Sequence, residues 1–136
     1  MINSVNHITL SVRDLDESFL FYHDILQLKP LAKRINKSAY FLAGDSWIAL
    51  VQAREHQEPS VSYAHLAFSV SSQNFKIVSL QIINSGAKIW QENSSPGESL
   101  YFLDPSGNKL EIHCGDWKSR VQWLKENPTD EVVLYE

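Results

Sequence analysis

The chain repeats itself, and that limits its fold more than any other feature. Asn6-His7-Ile8-Thr9-Leu10-Ser11-Val12 aligns with Ala64-His65-Leu66-Ala67-Phe68-Ser69-Val70 at a shift of 58, sharing the histidine, the Ser-Val pair and the apolar alternation of a strand. A helical pattern follows each copy at i, i+3, i+7: Phe19, Tyr22 and Leu26 in the first, Phe75, Val78 and Ile82 in the second. Then Tyr40-Phe41-Leu42 matches Tyr101-Phe102-Leu103. Each leads into a turn, Ala43-Gly44-Asp45 or Asp104-Pro105-Ser106-Gly107, and another apolar strand. Four landmarks in one order predict a duplicated βαβββ unit.

Local signals mark the boundaries. Asp14 with Glu17 reads as a capping-box start, Asn84-Ser85-Gly86 as the stop of the second helix, and Asp116 as the N-cap of a last helix that ends before Pro128. The polar stretch Gln52 to Ser62, with Pro59, reads as a linker. The expectation is one α+β domain over 1–136: modules at about 1–55 and 60–115, and a C-terminal helix at about 116–126. Two such modules form a cup-shaped sheet.

Composition excludes several classes. With 12 basic and 16 acidic side chains the formal charge is −4, so no basic footprint for nucleic acid exists. An apolar run such as Trp47 to Val51 reaches only five residues, against the roughly 20 of a membrane span, and the N-terminus shows no signal-peptide pattern. A soluble, cytoplasmic protein is expected. A single cysteine, Cys114, allows no intrachain disulfide and no Cys-rich zinc site, so any metal must be held by His and carboxylate groups.

Strand alternation sorts these polar residues. Ile8, Leu10 and Val12 face the helix, leaving His7, Thr9 and Ser11 opposite; Leu66, Phe68 and Val70 do the same, leaving Tyr63, His65 and Ala67 opposite. In the last strand, Lys109 to Cys114, Leu110 and Ile112 go inward and Lys109, Glu111 and His113 outward. Its counterpart at a shift of 62 places Trp47 and Ala49 on that face, so Glu111 corresponds to a methyl group. Two equivalent histidines and one carboxylate, His7, His65 and Glu111, form a three-ligand set with open positions, the pattern of a catalytic metal. His113 lies one strand step, ~7 Å, from Glu111, which suits a supporting role better than ligation. His23 and His56 read as surface residues, Cys114 as a buried small hydrophobe, and Trp90, Trp117 and Trp123 as packing.

These segments, together with Gly44-Asp45-Ser46-Trp47-Ile48, the serine-bearing loop before Tyr101, the strand Leu110-Glu111-Ile112-His113 and Arg120, resemble the vicinal oxygen chelate superfamily. Within it the similarity is to the fosfomycin resistance proteins, over nearly the whole chain. The resemblance implies an enzyme that opens the epoxide of fosfomycin, with a metal on His7, His65 and Glu111; in the glutathione-using branch the metal is manganese and potassium assists. It also implies phosphonate binding by Thr9, Ser95, Ser99, Tyr101 and Arg120, a pocket wall of Trp47 and Tyr63, and a potassium loop of Asn93, Ser95, Gly97 and Ser99. Thr9, Tyr101 and Arg120 would be catalytic, with the Thr9 hydroxyl assisting the thiol. The resemblance favours a homodimer with exchanged modules, His7 of one subunit meeting His65 and Glu111 of the other.

One position departs from the family. Gln91 stands where the glutathione transferases carry a lysine, which removes a charge-assisted contact to an anionic substrate. Glutathione is the expected nucleophile. Bacillithiol, cysteine and water keep the same site, while an iron(II) dioxygenase or a glyoxalase would keep the ligands without needing the anion cradle. A metal-free drug-binding protein of this fold would have no use for the three ligands.

Overall fold

The computed structural model describes residues 1–54 and 62–135. The first half runs β1 (His7–Val12), α1 (Leu15–Leu20), a π-helical continuation (Phe21–Ile25), β2 (Lys29–Arg34), β3 (Ser38–Ala43) and β4 (Ser46–Gln52). The second half runs β5 (Leu66–Ser69), α2 (Phe75–Asn84), β6 (Ile89–Gln91), β7 (Ser99–Leu103) and β8 (Lys109–His113), and α3 (Trp117–Glu126) follows. The halves form two four-stranded sheets of equivalent order, β1-β4-β3-β2 and β5-β8-β7-β6. In each, the first strand pairs in parallel with the last and the rest is an antiparallel meander. The duplication is therefore structural as well as sequential.

Register carries the equivalence to single residues. Thr9 pairs with Ala49 and Ala67 with Glu111, while Tyr40 sits opposite Ala49 and Tyr101 opposite Glu111. The helix-facing sides of both sheets merge into one core. Val12, Leu15, Phe21, Tyr22, Ala39, Phe41 and Leu50 of the first half pack with Ile82, Phe102, Leu110 and Ile112 of the second. Phe41 and Phe102, equivalent in the repeat, are both fully buried.

The helix ends follow local chemistry. The Asp14 carboxylate accepts from Glu17 N–H, and Gly86 after α2 adopts a φ of +86°, where a side chain would be strained. Asp116 caps α3 in a complete capping box with Ser119, and these hydrogen bonds hold its carboxyl below the usual range. The first helix departs from the expected α pattern. After Leu20 it widens into a π turn, Leu26 N–H reaching Phe21 C=O at 3.0 Å, which buries both Phe21 and Tyr22. A spacing of three then four residues does not distinguish the two windings. No helix among the described residues is long and apolar enough to cross a membrane.

Several expectations need correction. Gln52 is the end of β4, not linker, and its side chain brackets the start of α1: Oε1 accepts from Leu15 N–H at 2.8 Å and Nε2 donates to Arg13 C=O. His56 and Pro59 lie outside the described residues. β8 stops at His113, and Cys114 beyond it is half-buried. Trp117 and Trp123 do not pack into the core; α3 buries none of its side chains, and the two indoles are exposed.

A buried polar contact ties the halves together. Asp104 organises its turn by accepting from Ser106 N–H and Asn108 N–H at 2.9 Å each, and its other oxygen accepts from Asn108 Nδ2 at 2.8 Å and the Tyr22 hydroxyl at 2.7 Å. Burial and the neighbouring carboxylate hold the Tyr22 phenol well above its ordinary value. From the same turn Ser106 accepts from Arg13 N–H, and Asn108 donates to Ser11 C=O. Tyr22→Phe is expected to lower stability by about 2 kcal/mol, the size of a hydrogen bond to a charged group, at unchanged urea m-value and fixed protein concentration. A shift below about 0.5 kcal/mol would show that the contact contributes little.

Candidate metal and anion site

The outward face of the second sheet brings two of the sequence-predicted ligands together. His65 precedes β5 and Glu111 lies in β8. Their parallel neighbourhood places His65 Nε2 3.0 Å from Glu111 Oε1, with Glu111 only 6% exposed. The His65 Nδ1 atom is 2.9 Å from the Tyr63 carbonyl, an acceptor, so Nδ1 carries the hydrogen. In the neutral ring the Nε2 lone pair then faces a carboxylate oxygen. Acceptor against acceptor is satisfied only by a cation between them, a proton or a metal. Imidazole and carboxylate donors suit a divalent ion, and fixing the remote ring N–H on a carbonyl is how proteins orient such a ligand.

Aromatic residues wall this pair. Tyr63, Trp90 and Tyr101 have ring centroids 5.1, 5.3 and 6.0 Å from that of His65, and Trp90 meets Tyr101 edge-on at 5.1 Å. Strand alternation does not reveal Trp90. A register shift between Ile89 and Gln91 breaks the period of two there, and the indole N–H donates to Leu110 C=O at 3.0 Å. Lys109 Nζ lies 5.2 Å above the Trp90 ring and donates to Ser62 C=O. Gln91 Nε2 donates to the Tyr63 hydroxyl at 3.1 Å.

Residues 93–98 form a loop rich in oxygen donors. Asn93 Oδ1 accepts from Ser95 N–H and Oγ at 3.0 and 2.9 Å, and Asn93 Nδ2 donates to Gly97 C=O at 2.8 Å. Ser99, at the start of β7, turns the other way, its Oγ 2.7 Å from Glu111 Oε2 and 2.6 Å from His113 Nδ1. His113 thus reaches the Glu111 carboxylate through Ser99, its own Nδ1 lying 3.5 Å from Glu111 Oε2.

The remaining candidates lie elsewhere in the chain. His7 and Thr9 are exposed on β1 of the first sheet. His7 Nδ1 bonds Asn6 Oδ1 at 2.7 Å, and its ring lies tilted by 35° against Trp47 with centroids 4.4 Å apart, with Tyr40 edge-on to Trp47 at 5.4 Å. The Trp47 indole N–H is buried with no hydrogen-bond partner among the described residues. Arg120 is exposed on α3, and no hydrogen bond or ion pair of its guanidinium is found among the described residues. His23 is a surface residue paired with Asp24. Among the described residues no three His, Cys, Asp or Glu side chains converge as a metal-binding group. One chain brings together His65 and Glu111 and leaves His7 on the other sheet.

A family model described as the Glyoxalase/Bleomycin resistance protein/Dioxygenase superfamily matches residues 4–112. The glutathione transferase FosA of Serratia marcescens is 42% identical over 131 residues, which cover 94% of this chain and 92% of that protein. The chain belongs to the fosfomycin resistance proteins of this superfamily. The metallothiol transferase FosB of Staphylococcus saprophyticus is 35% identical over 131 residues, 93% of this chain and 86% of its own. Among solved structures, the fosfomycin resistance protein FosX of Listeria monocytogenes, complexed with Mn(II) and 1S,2S-dihydroxypropylphosphonic acid, superposes with a TM-score of 0.78. It is 27% identical, and the match covers 90% of this chain and 99% of that one. The two-sheet architecture described above is the fold of this family.

Removing the carboxylate of the His65–Glu111 pair, in Glu111→Ala, is expected to weaken Mn2+ binding by more than the roughly 10- to 100-fold that loss of a ligand's supporting partner costs, measured by isothermal titration, and His23→Ala should leave it unchanged. Equal affinity in Glu111→Ala and the intact chain would place the ion elsewhere.

Proposed function

We propose that this protein is a metal-dependent transferase that adds glutathione to fosfomycin and so opens its epoxide. The observation that carries the reading is the His65–Glu111 pair, acceptor facing acceptor beside an aromatic and hydroxyl-bearing wall, in a chain similar to the glutathione transferase FosA. When bound by His7, His65 and Glu111, a divalent metal such as Mn2+ supplies Lewis-acid polarisation of the epoxide oxygen.

The chain's own residues do the rest. Tyr101, Thr9, Ser95 and the Arg120 guanidinium donate to the anionic phosphonate oxygens, and Trp47 and Tyr63 wall the pocket. Gln91 offers an amide donor where the glutathione-using relatives carry an ammonium, so Arg120 bears more of the anion's charge. The thiol gives up its proton as its sulfur attacks carbon from the side opposite the breaking C–O bond; Thr9 is placed on the open face to hold the nucleophile, and the oxygen released by that bond takes up a proton. The oxygens of Asn93, Ser95 and Gly97 offer a hard monovalent cation such as K+ the donors it prefers. The reaction belongs to the cytoplasm, where glutathione is abundant.

Incubating the Mn2+-loaded protein with fosfomycin and glutathione, bacillithiol, cysteine or water alone, and following the phosphorus resonance, is expected to show turnover fastest with glutathione. Faster turnover with another nucleophile would change the donor, and turnover with none would remove the antibiotic as substrate.

The separation of His7 from His65 and Glu111 supports a homodimer with exchanged modules, each site taking His7 from the second copy. Mixing inactive His7→Ala with inactive Glu111→Ala, after subunit exchange, is expected to restore about a quarter of wild-type sites, because each mixed dimer carries one intact site. No recovery despite demonstrated exchange would place all three ligands within one chain.

A further inference from the structure

The His113 imidazole occupies a seat from which side chains have been removed on two sides. A Cβ at Gly97 would lie 3.1 Å from its Cε1 and 2.7 Å from the Cys114 carbonyl oxygen; a Cβ at Gly115 would lie 3.0 Å from its Nε2. Both glycines adopt positive φ, +85° and +134°, which other residues rarely reach. Cys114 N–H donates to Glu98 C=O at 2.9 Å and holds the Gly97 segment against the end of β8. The ring is therefore fixed from both sides.

Its Nδ1 is 2.6 Å from Ser99 Oγ, and that oxygen is 2.7 Å from Glu111 Oε2; His113 Nδ1 to the same carboxylate oxygen is 3.5 Å. A hydroxyl has one hydrogen and an ionised carboxylate has none, so the hydrogens can be assigned by counting. The Ser99 hydrogen must point to Glu111, and the Ser99 oxygen must accept from His113 Nδ1–H. The chain of donors runs from imidazole to hydroxyl to carboxylate.

We propose that His113 is a positioning residue: acting through Ser99, it holds the Glu111 carboxylate with Oε1 turned toward His65. The inference rests on the reading of His65 and Glu111 as metal ligands, and it extends the support of the site from the carboxylate to the loop carrying Gly97. It also gives Ser99 a role distinct from the phosphonate contact that the resemblance implies, since its single hydrogen is committed to Glu111.

Two measurements test the proposal. In the metal-free 15N-labelled protein, at a pH where the ring is neutral, two-bond proton–nitrogen correlations are expected to show His113 as the Nδ1–H tautomer. In Ser99→Ala this preference is expected to be lost. The Nε2–H tautomer in the wild type would overturn the chain of donors. Mn2+ affinity, read from the electron paramagnetic resonance signal of free Mn2+, is expected to fall about 10- to 100-fold in His113→Phe and in Ser99→Ala, the usual range for supports of metal ligands. His113→Asn, whose amide nitrogen replaces Nδ1–H, is expected to recover most of the affinity. Wild-type affinity in a folded His113→Phe, or no rescue by His113→Asn, would overturn the proposal. If His113→Phe does not fold, Ser99→Ala decides the same point without disturbing the seat. A wild type that takes up no Mn2+ would refute the metal reading separately, and the tautomer, read without metal, would still decide the hydrogen-bond chain.

Discussion

The parallel pairing of β5 with β8 is the constraint on which the site depends. Its register sets Ala67 opposite Glu111 and Leu66 opposite Leu110, so the apolar members of both strands enter the core together and the polar members share the other face. A slip of one residue would carry Glu111 into the core and Leu110 out of it, burying a charge and exposing an apolar side chain at once. The hydrophobic sorting therefore holds the carboxylate against His65. The same pairing in the first half, β1 with β4, sets Thr9 opposite Ala49, and the methyl group there offers no donor where the second half has the Glu111 carboxylate.

The second constraint is the shared core. The helix-facing sides of both sheets pack into one cluster, and the Asp104 turn of the second half is hydrogen-bonded to Tyr22 and Arg13 of the first. The outward faces are consequently directed away from that core, with His7 on one sheet and His65 and Glu111 on the other. The geometry that stabilises the chain is also what leaves these three candidate ligands divided between the two sheets.

Much of this was legible beforehand because it follows from periods of two and three to four along the chain. The histidine equivalence, the inward and outward sets of β1, β5 and β8, the caps at Asp14 and Asp116 and the stop at Gly86 all rest on neighbours within a few residues. The π turn after Leu20 was not legible, since the spacing of Phe19, Tyr22 and Leu26 fits either winding. Trp90 reads as packing in the sequence because the bulge in β6 hides its direction, and it forms part of the wall around His65. Gln52 looked like linker because a polar residue at a strand end carries no sign of its bond to the first turn of a helix 37 residues away.

The sequence alone determined that two similar βαβββ halves exist, which residues of β1, β5 and β8 lie on which face, and that His7 and His65 occupy corresponding places while Glu111 corresponds to Ala49. Local periodicity suffices for that, because strand alternation is a property of the backbone. Only the tertiary structure decided which of those residues meet: His65 with Glu111 across 46 residues, Tyr22 with Asp104 across 82, and His113 with Ser99 between two glycines. Such contacts depend on how sheets pair and pack, and a side chain's direction along its own strand says nothing of what will stand opposite it.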